Sequence, residues 1–418
     1  MKSQKISLLF ILLCMLPAIS FSQTGVYWFG DSTSNLVNNR IISIKENSNG
    51  DLCLLGKATD GDYNNPKPYW AVCDKAGKLK SQTTLSASNK FYEVNNFTIC
   101  SSGRFRIWGT EMVNERMTMS LNTINAKGEV QGSDAIMTNT TTFTGDVCQL
   151  DDTYAIMAKT VQSSSTGKYH ISIYKYNVID DQQVWYKTLT TEENEEGSKV
   201  FALKDGSIIV LGKIYNEEFT SYTTLMYKLS ATGDLLWRKN ITGYTDFFGQ
   251  GVSEGKNKSL FYTCSTGNEA IGESGTKIFH LDSNGALILL TELKNFRSNG
   301  VLTLSNGTIF LYGSVFETTG NYLVSKASSR IFSPDMKELS KDEMGIADAP
   351  DAFLPSLYIS AYPTASDFLT AVQLSDGRIA CGGRVYLPIE TSPAAIIGSE
   401  RHNMAFLVLM TQEGKFRK

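Results

Sequence analysis

The sequence predicts an all-β fold, a seven-bladed β-propeller of four-stranded antiparallel blades. Two observations support this prediction: tight turns recur along the 418 residues in two series, and short apolar runs lie between them. Most of these turns are Asx-Gly, Ser-Gly or similar dipeptides, which permit the positive φ of hairpin turns. The second series comprises Ala76-Gly77, Lys127-Gly128, Asp180-Asp181, Thr232-Gly233, Asn284-Gly285, Pro334-Asp335 and Glu413-Gly414. Its successive spacings are 51, 53, 52, 52, 50 and 79 residues, a period that accidental turns would not keep.

The first series of turns precedes runs that have the composition of buried strands. It comprises Asn49-Gly50, Ser102-Gly103, Asp151-Asp152, Asp205-Gly206, Asn306-Gly307 and Asp376-Gly377. Runs such as SIIVLG at 207–212 and TIFLYG at 308–313 are continuously apolar, which indicates burial on both faces of a sheet. A small residue falls six positions after the turn, at Gly56, Gly109, Ala158, Gly212, Gly313 and Gly383. We expect this residue to allow close backbone approach between packed sheets.

Each repeat unit accommodates four strands: one before the first turn, two between the turns and one after the second. A four-stranded unit of about 50 residues has the size of a propeller blade. The fifth unit, around 255–267, aligns only loosely, and the seventh ends at Lys418 without room for a fourth strand. GVYWFG at 25–30 resembles the outer-strand sequence GDLLWR at 233–238. We therefore expect residues 23–418 to form a single propeller domain in which the N-terminal strand pairs with the last blade and closes the ring.

The stretch LSATGDLLWRKN, at 229–240, resembles the outer hairpin of the quinoprotein-type propeller repeat. That hairpin has Thr-Gly, an aliphatic pair and Trp, matched here by Thr232-Gly233, Leu235, Leu236 and Trp237 and in part by Gln183-Val184-Trp185. The chain is also similar to exported bacterial propellers, including the outer-membrane-barrel assembly lipoprotein. The resemblance implies the fold over nearly the whole mature chain. Most units lack the Trp, and the family's enzymes have eight blades, so no quinone-binding residue is carried over and no cofactor is predicted.

The N-terminal residues predict export. Two lysines precede an apolar run over 6–19, and small residues surround a cleavage site after Ser22, so 1–22 is predicted to be a signal peptide. The run is shorter than the about 20 residues that span a bilayer, and nothing downstream reaches that length without charges. We expect a protein of the periplasm, cell surface or extracellular space that does not span a membrane. Lipidation at Cys14 is an alternative, although leucines precede it where lipoprotein signals have small residues.

Charge and cysteine usage restrict the partners and the covalent chemistry. The chain has 39 basic and 42 acidic residues, and loss of the two leader lysines leaves 37 against 42, or −5. A weakly acidic chain without basic runs lacks the footprint of a nucleic-acid binder. We expect a monomer whose partner is a protein or glycan of the cell envelope. Six cysteines remain, mostly within apolar runs, which favours buried thiols, and a disulfide between Cys53 and Cys73 on neighbouring strands is left open.

Blade topology predicts which face carries function. In an up-and-down blade the first and third connections lie on one face of the disc, and the second connection and the inter-blade link lie on the other. Both turn series belong to the first face, whereas long proline-containing insertions at about 338–367 and 384–403 belong to the second. Together with the blade-one loop TDGDYNNPKP they form the predicted corner, whose candidate ligand contacts are Tyr358, Tyr362, Tyr386, Glu390, Arg401 and His402. The alternative is that the insertions cap the channel or wedge the closing blades.

The motifs that carry catalytic or metal chemistry are incomplete. The three histidines, His170, His280 and His402, fall in different blades, which favours packing or surface roles over a metal site. Asp60, Asp62 and Asn64 have calcium-loop spacing, but Asn65 stands at the glycine position and Ala71 at that of the bidentate glutamate. SSTGKY at 164–169 lacks parts of a phosphate loop, and GESG at 272–275 is not a nucleophile elbow.

No catalytic residue and no metal ligand is therefore predicted. We expect a non-catalytic binding or scaffold protein that engages a protein or glycan through the face with the long loops. The alternative is a polysaccharide hydrolase or lyase with acidic residues converging over the channel. A third hypothesis is a quinone-dependent oxidoreductase. The fold alone does not decide between these hypotheses, because propellers support many unrelated functions.

Overall fold

The computed structural model describes residues 25–29, 37–59, 66–85, 91–113, 116–136, 142–189, 191–219, 222–241, 251–268, 273–319, 322–344, 365–388 and 401–415. Regular structure in these ranges is β-strand, apart from one 3₁₀ turn at Lys256–Lys258. No helix within them has the length and apolar character that a bilayer crossing requires. The predicted signal peptide, 1–22, lies outside the described residues.

The strands form seven four-stranded antiparallel sheets, which we call blades one to seven. Strand β1 (Gly25–Phe29) precedes blade one in the chain. Blade one has β2 (Val37–Glu46), β3 (Leu52–Thr59), β4 (Pro66–Cys73) and β5 (Leu79–Thr84); blade two has β6 (Phe91–Ile99), β7 (Phe105–Val113), β8 (Arg116–Ile124) and β9 (Val130–Ile136). Blade three has β10 (Thr142–Gln149), β11 (Tyr154–Gln162), β12 (Tyr169–Asn177) and β13 (Gln182–Leu189); blade four has β14 (Asn194–Ala202), β15 (Ile208–Tyr215), β16 (Tyr222–Leu229) and β17 (Leu235–Ile241).

The remaining blades follow the same order. Blade five has β18 (Gly251–Glu254), β19 (Leu260–Asn268), β20 (Glu273–Leu281) and β21 (Leu287–Lys294); blade six has β22 (Phe296–Thr303), β23 (Ile309–Thr319), β24 (Tyr322–Phe332) and β25 (Glu338–Met344). Blade seven has β26 (Ala365–Gln373), β27 (Ile379–Pro388) and β28 (Arg401–Met410), with β1 as its outer strand. In that pairing Gly25 lies opposite Leu409 and Phe29 opposite Ala405. The predicted all-β, seven-bladed fold class is confirmed.

The core lies between blades rather than within any one of them. Among the described residues, buried apolar side chains form seven clusters, each shared by two neighbouring blades, and one of them joins blade seven to blade one. Strand β15 shows the alternation: Val210 packs toward blade three and Leu211 toward blade five. Burial of one such side chain contributes about 1.5–3 kcal/mol. The continuously apolar runs therefore have both faces covered, as their composition predicted.

The small residue six positions after the first turn of a blade is required for a different reason from the one expected. In blades one to four, six and seven it lies beside a register shift in the innermost strand of its own sheet. A Cβ at Gly313 would stand 1.9 Å from the carbonyl oxygen of Arg297, and one at Gly383 would stand 1.9 Å from that of Asp367. The small residue therefore chiefly makes room for the bulged backbone of the adjacent strand in its own sheet, rather than for a neighbouring sheet. Blade five, which has no such shift in its short inner strand, is the unit that aligned loosely.

Tryptophans join the outer hairpins of neighbouring blades. Trp237 of blade four donates its indole N–H to the carbonyl of Ser283 at 3.1 Å, in the third connection of blade five. Gly285 in that turn has φ +78°, and a Cβ there would meet the Trp237 ring at 3.1 Å. Trp185 lies against Gly233 of blade four, where an added Cβ would meet its ring at 3.0 Å. The turn glycine therefore permits both the left-handed backbone and the close approach of the ring.

Cys53 and Cys73 do not form a disulfide, because the pleat of the sheet directs their side chains to opposite faces. Cys53 packs in the cluster shared with blade two, and Cys73 packs in the cluster shared with blade seven, so the two side chains lie on opposite faces of one sheet. Both are free thiols. Burial raises the pKa of each to about 12, which keeps the thiols protonated and unreactive at neutral pH.

The strands extend into both predicted insertions. Residues 338–344 form β25, and β26 begins at Ala365, so the link between blades six and seven is 345–364. Similarly, β27 runs to Pro388 and β28 begins at Arg401, which shortens the second connection of blade seven to 389–400. The ends of both predicted insertions thus overlap strands β25 to β28.

The contact between Gly313 and the β-bulge predicts that alanine substitution destabilises the protein at Gly313 but not at Gly132. Gly313→Ala places a methyl group against the Arg297 carbonyl, and we expect it to lower the free energy of unfolding by about 1–3 kcal/mol. Gly132→Ala is the matched control, because Gly132 lies in outer strand β9 with no atom within 4 Å of the added Cβ. Urea denaturation of both variants measures the difference. Equal stability of the two variants would refute the bulge interpretation.

Candidate functional site

The structure describes three of the six candidate contacts of the predicted corner. Tyr386 lies near the end of β27, and Arg401 and His402 lie at the start of β28. In the register of this hairpin Tyr386 is opposite Asn403, and His402 is opposite Leu387. All three are thus at the end of blade seven that carries its second connection. The other three, Tyr358, Tyr362 and Glu390, lie outside the described residues, and the corner stays a prediction.

The remaining sequence candidates do not assemble into a site. His170 is buried on β12, and His280 on β20 stacks on Phe261 with a ring separation of 4.3 Å. Burial lowers the pKa of His280. Within the described ranges no group of three or more His, Cys, Asp and Glu side chains could hold a metal ion. Residues 60–65, with the incomplete calcium-loop pattern, lie outside those ranges.

A pocket of about 450 Å³ opens between blades three and four. It is lined by Thr160, Tyr169, Glu195, Glu196, Tyr215 and Phe219. Tyr169 follows the second connection of blade three, Phe219 lies in the second connection of blade four, and Glu195 follows the link between these blades. The pocket is therefore on the face that the topology assigned to function, but in a different sector from the predicted corner.

Aromatic rings form one side of the pocket. Phe219 lies 6.2 Å from the ring of Tyr169 and 5.4 Å from that of Tyr215, and Tyr222 lies 5.7 Å from Tyr215 on the other side. Phe219 is 50% exposed and has φ +55°, in a turn where its amide donates to the Asn216 carbonyl at 3.0 Å. A bulky side chain in the left-handed region is strained, and such residues concentrate at ligand sites.

A buried carboxylate forms the floor of the pocket. Glu195 is completely inaccessible, and the hydroxyl of Tyr227 donates to its two oxygens at 2.9 and 2.8 Å. Arg238 donates to Glu195 at 3.0 Å and to Glu193 at 2.5 Å, and Thr191 donates to Glu195 at 3.0 Å. Burial and the adjacent Glu195 charge raise the pKa of Tyr227. These donors compensate the buried negative charge and hold it in one position.

The second carboxylate, Glu196, is partly accessible. Its Oε2 accepts a hydrogen bond from the hydroxyl of Tyr215 at 2.5 Å, and Lys213 Nζ lies 4.0 Å from the same oxygen. Burial and this hydrogen bond raise the pKa of Tyr215. The ammonium of Lys213 also lies 5.0 Å from the ring centroid of Tyr222 and 5.9 Å from that of Tyr215. The pocket thus combines a solvent-facing carboxylate with aromatic faces.

Hydrogen bonds between blades three and four fix the walls of the pocket. The amide of Gly197 donates to Thr160 Oγ1 at 3.0 Å, and the amide of Tyr169 donates to Asn194 Oδ1 at 3.1 Å. Lys168 Nζ donates to the carbonyl of Glu192. A site whose walls are fixed in this way is largely preformed, which lowers the entropic cost of binding.

The sequence contained a signal for this pocket that pattern analysis did not use. EENEE at 192–196 and NEEF at 216–219 place carboxylates and an aromatic residue on neighbouring segments of the second face. Each segment alone resembles an ordinary polar loop. Their proximity follows only from the packing of blade four against blade three.

Comparison with known proteins shows no family for this chain. No protein-family model matches the chain, and no curated protein sequence matches it. Similar solved structures include the Dos1 propeller, with TM-score 0.48, 9% identity, and coverage of 95% of this chain and 97% of that one. The β-propeller domain of the Trilobed protease from Pyrococcus furiosus has TM-score 0.45, 8% identity, and coverage of 91% and 99%. An α-L-arabinofuranosidase from Fusarium graminearum has TM-score 0.47, 10% identity, and coverage of 73% and 97%. With TM-scores below 0.5, these likenesses carry no argument about this chain.

The Tyr227–Glu195 contact predicts a particular dependence of stability on pH. As pH rises through about 10, the unfolded chain loses the Tyr227 proton while the folded chain retains it, so this residue's stabilisation declines with pH. Tyr227→Phe leaves Glu195 without two short contacts and should cost about 1–3 kcal/mol at pH 8. We expect the difference in Tm between wild type and variant to narrow above about pH 10.

Thermal unfolding followed by circular dichroism across this pH range measures the effect. Tyr186→Phe, at an exposed tyrosine of β13, is the control for general alkaline denaturation. A difference between wild type and Tyr227→Phe that stays constant with pH would contradict the assignment.

Proposed function

We propose that this protein is an exported, non-catalytic binding protein of the cell envelope, and that it holds a carbohydrate chain through the face with the second connections. The pocket between blades three and four is the principal subsite in this proposal. The N-terminal sequence, with its apolar run and cleavage pattern, supports export. The predicted corner, which the blade topology of the sequence assigns to the same face, is a second proposed contact for a longer chain.

The observation that carries the proposal is the combination of aromatic faces and carboxylates in one preformed pocket. Sugar rings present apolar C–H faces that pack on aromatic rings, and hydroxyls that donate to carboxylate oxygens. Tyr169, Tyr215 and Phe219 supply the rings, and Glu196 supplies an accessible acceptor. The volume of about 450 Å³ is sufficient for a single sugar unit and is open at one side for the chain to continue.

The burial and hydrogen bonding of the two pocket carboxylates favour binding without hydrolysis. Glycoside hydrolysis uses two carboxyl groups on opposite sides of the scissile bond, one to protonate the leaving group and one to act as nucleophile or base. Glu195 is inaccessible, and its oxygens are occupied by Tyr227, Arg238 and Thr191, so it cannot approach a substrate. Glu196 alone does not provide such a pair. Hydrolysis remains the competing outcome of the functional test.

The direct test is binding of the mature protein to a panel of soluble oligosaccharides by isothermal titration calorimetry. Tyr215→Ala and Phe219→Ala each remove an aromatic face, and we expect each to weaken binding about tenfold, because one buried aromatic contact contributes on the order of 1–2 kcal/mol. Tyr186→Ala, at an exposed tyrosine outside the pocket, is the control and should bind as wild type does.

Two results would overturn the proposal. Release of reducing ends from any bound oligosaccharide would establish catalysis and replace the binding-only account. Failure of the wild-type protein to bind any member of the panel would remove carbohydrate recognition.

A further inference from the structure

The charged groups around the pocket are not balanced. Within the network, Glu193, Glu195 and Glu196 face Arg238 and Lys213, which leaves a net charge of −1. Glu192, Glu217 and Glu218 lie in the adjoining link and second connection, where Lys168 donates to the Glu192 carbonyl, so the six carboxylates and three cations named among these described residues together leave −3.

Two further lysines lie on strands that border the pocket, and both are directed elsewhere. Lys159 on β11 lies 5.7 Å from the ring of Tyr174, in the interface between blades two and three. Lys199 on β14 interacts with Asp146, which offsets its charge. The negative balance at the pocket is therefore not compensated by either side chain.

The side chains that line the pocket also favour a cation. They comprise two carboxylates, three aromatic rings and a threonine, with no lysine or arginine among them. Aromatic faces attract ammonium groups through the ring quadrupole. The same cluster already shows this preference within the protein, since Lys213 Nζ lies 5.0 Å from the centroid of Tyr222 and beside Glu196.

We infer that the pocket selects a sugar that carries a free, protonated amine, over the N-acetylated or acidic forms of the same sugar. This inference rests on the proposed carbohydrate-binding function and specifies its ligand class. Tyr215 and Lys213 both approach Oε2 of Glu196, and we assign Oε1 of this residue to the ammonium of the ligand. Phe219 and Tyr169 cover the sugar face beside it. N-acetylation removes the positive charge, and a carboxylate on the sugar would be repelled by Glu196.

Three tetrasaccharides test the inference on the mature protein: one of glucosamine, one of N-acetylglucosamine and one of galacturonic acid. Calorimetry at about pH 6, where the amines are protonated, should give affinity for the glucosamine tetramer at least about tenfold higher than for the other two. Raising the salt concentration from about 0.02 to 0.3 M should reduce this preference in the wild-type protein, because screening weakens the charge contact.

The variant Glu196→Gln keeps the shape of the side chain and removes its charge. We expect it to lose most of the preference for the amine, measured within the variant as the ratio of its affinities for the glucosamine and N-acetylglucosamine tetramers. Glu292→Gln, at an exposed carboxylate on outer strand β21, makes the same change in net charge away from the pocket and should keep the preference. If Glu196→Gln does not fold, the salt dependence of the wild-type preference still tests whether the preference arises from a charge contact.

The outcomes separate the two levels of the proposal. Equal binding of the glucosamine and N-acetylglucosamine tetramers, or tightest binding of the acidic one, overturns the amine inference and leaves carbohydrate binding intact. A preference that is unchanged in a folded Glu196→Gln variant overturns the assignment to this pocket. Binding of no oligosaccharide in the wider panel removes the proposed function itself.

Discussion

The structure depends on one constraint: the inner strands of every blade must be covered on both faces by the neighbouring blades. A single four-stranded sheet of this chain does not form a hydrophobic core by itself. Its apolar side chains pack against the two neighbouring blades, as Val210 and Leu211 do on opposite faces of one strand. The ring order packs blade seven on blade one through a shared cluster of buried apolar side chains. The turns, bulges and tryptophan contacts are arrangements that allow these sheets to pack in register.

The same constraint separates stability from function. Because the apolar side chains are committed to the interfaces between blades, polar and strained groups are tolerated where a blade edge meets solvent at the second connections. There, between blades three and four, a fully buried glutamate is held by Tyr227, Arg238 and Thr191, and a strained, half-exposed Phe219 projects beside it. Burial of a charge and strain in the backbone each carry a cost to folding. Their concentration around one cavity is the reason to assign binding to this sector.

The fold was largely predictable because its determinants are local. Turn dipeptides such as Thr232-Gly233 specify hairpins through backbone conformation, and apolar runs such as 207–212 specify doubly buried strands. The reason for glycine at position 313 required the structure. The carbonyl that excludes a side chain there belongs to Arg297 on the bulged neighbouring strand, and the position of that bulge depends on strand pairing, which the sequence of the apolar run does not reveal. The disulfide question required it as well, since adjacent strands bring Cys53 and Cys73 near each other but the pleat directs them to opposite faces.

By itself, the sequence determined the number of blades, the order of strands within them and the face that bears the irregular connections, since these follow from period, turn chemistry and chain direction. Only the tertiary structure decided which sector of that face forms a pocket. The lining residues come from 160 to 219, on strands and connections of two blades, and no spacing rule links them. They meet because blade four packs against blade three, and the geometry of that packing is set by side chains buried elsewhere in the interface.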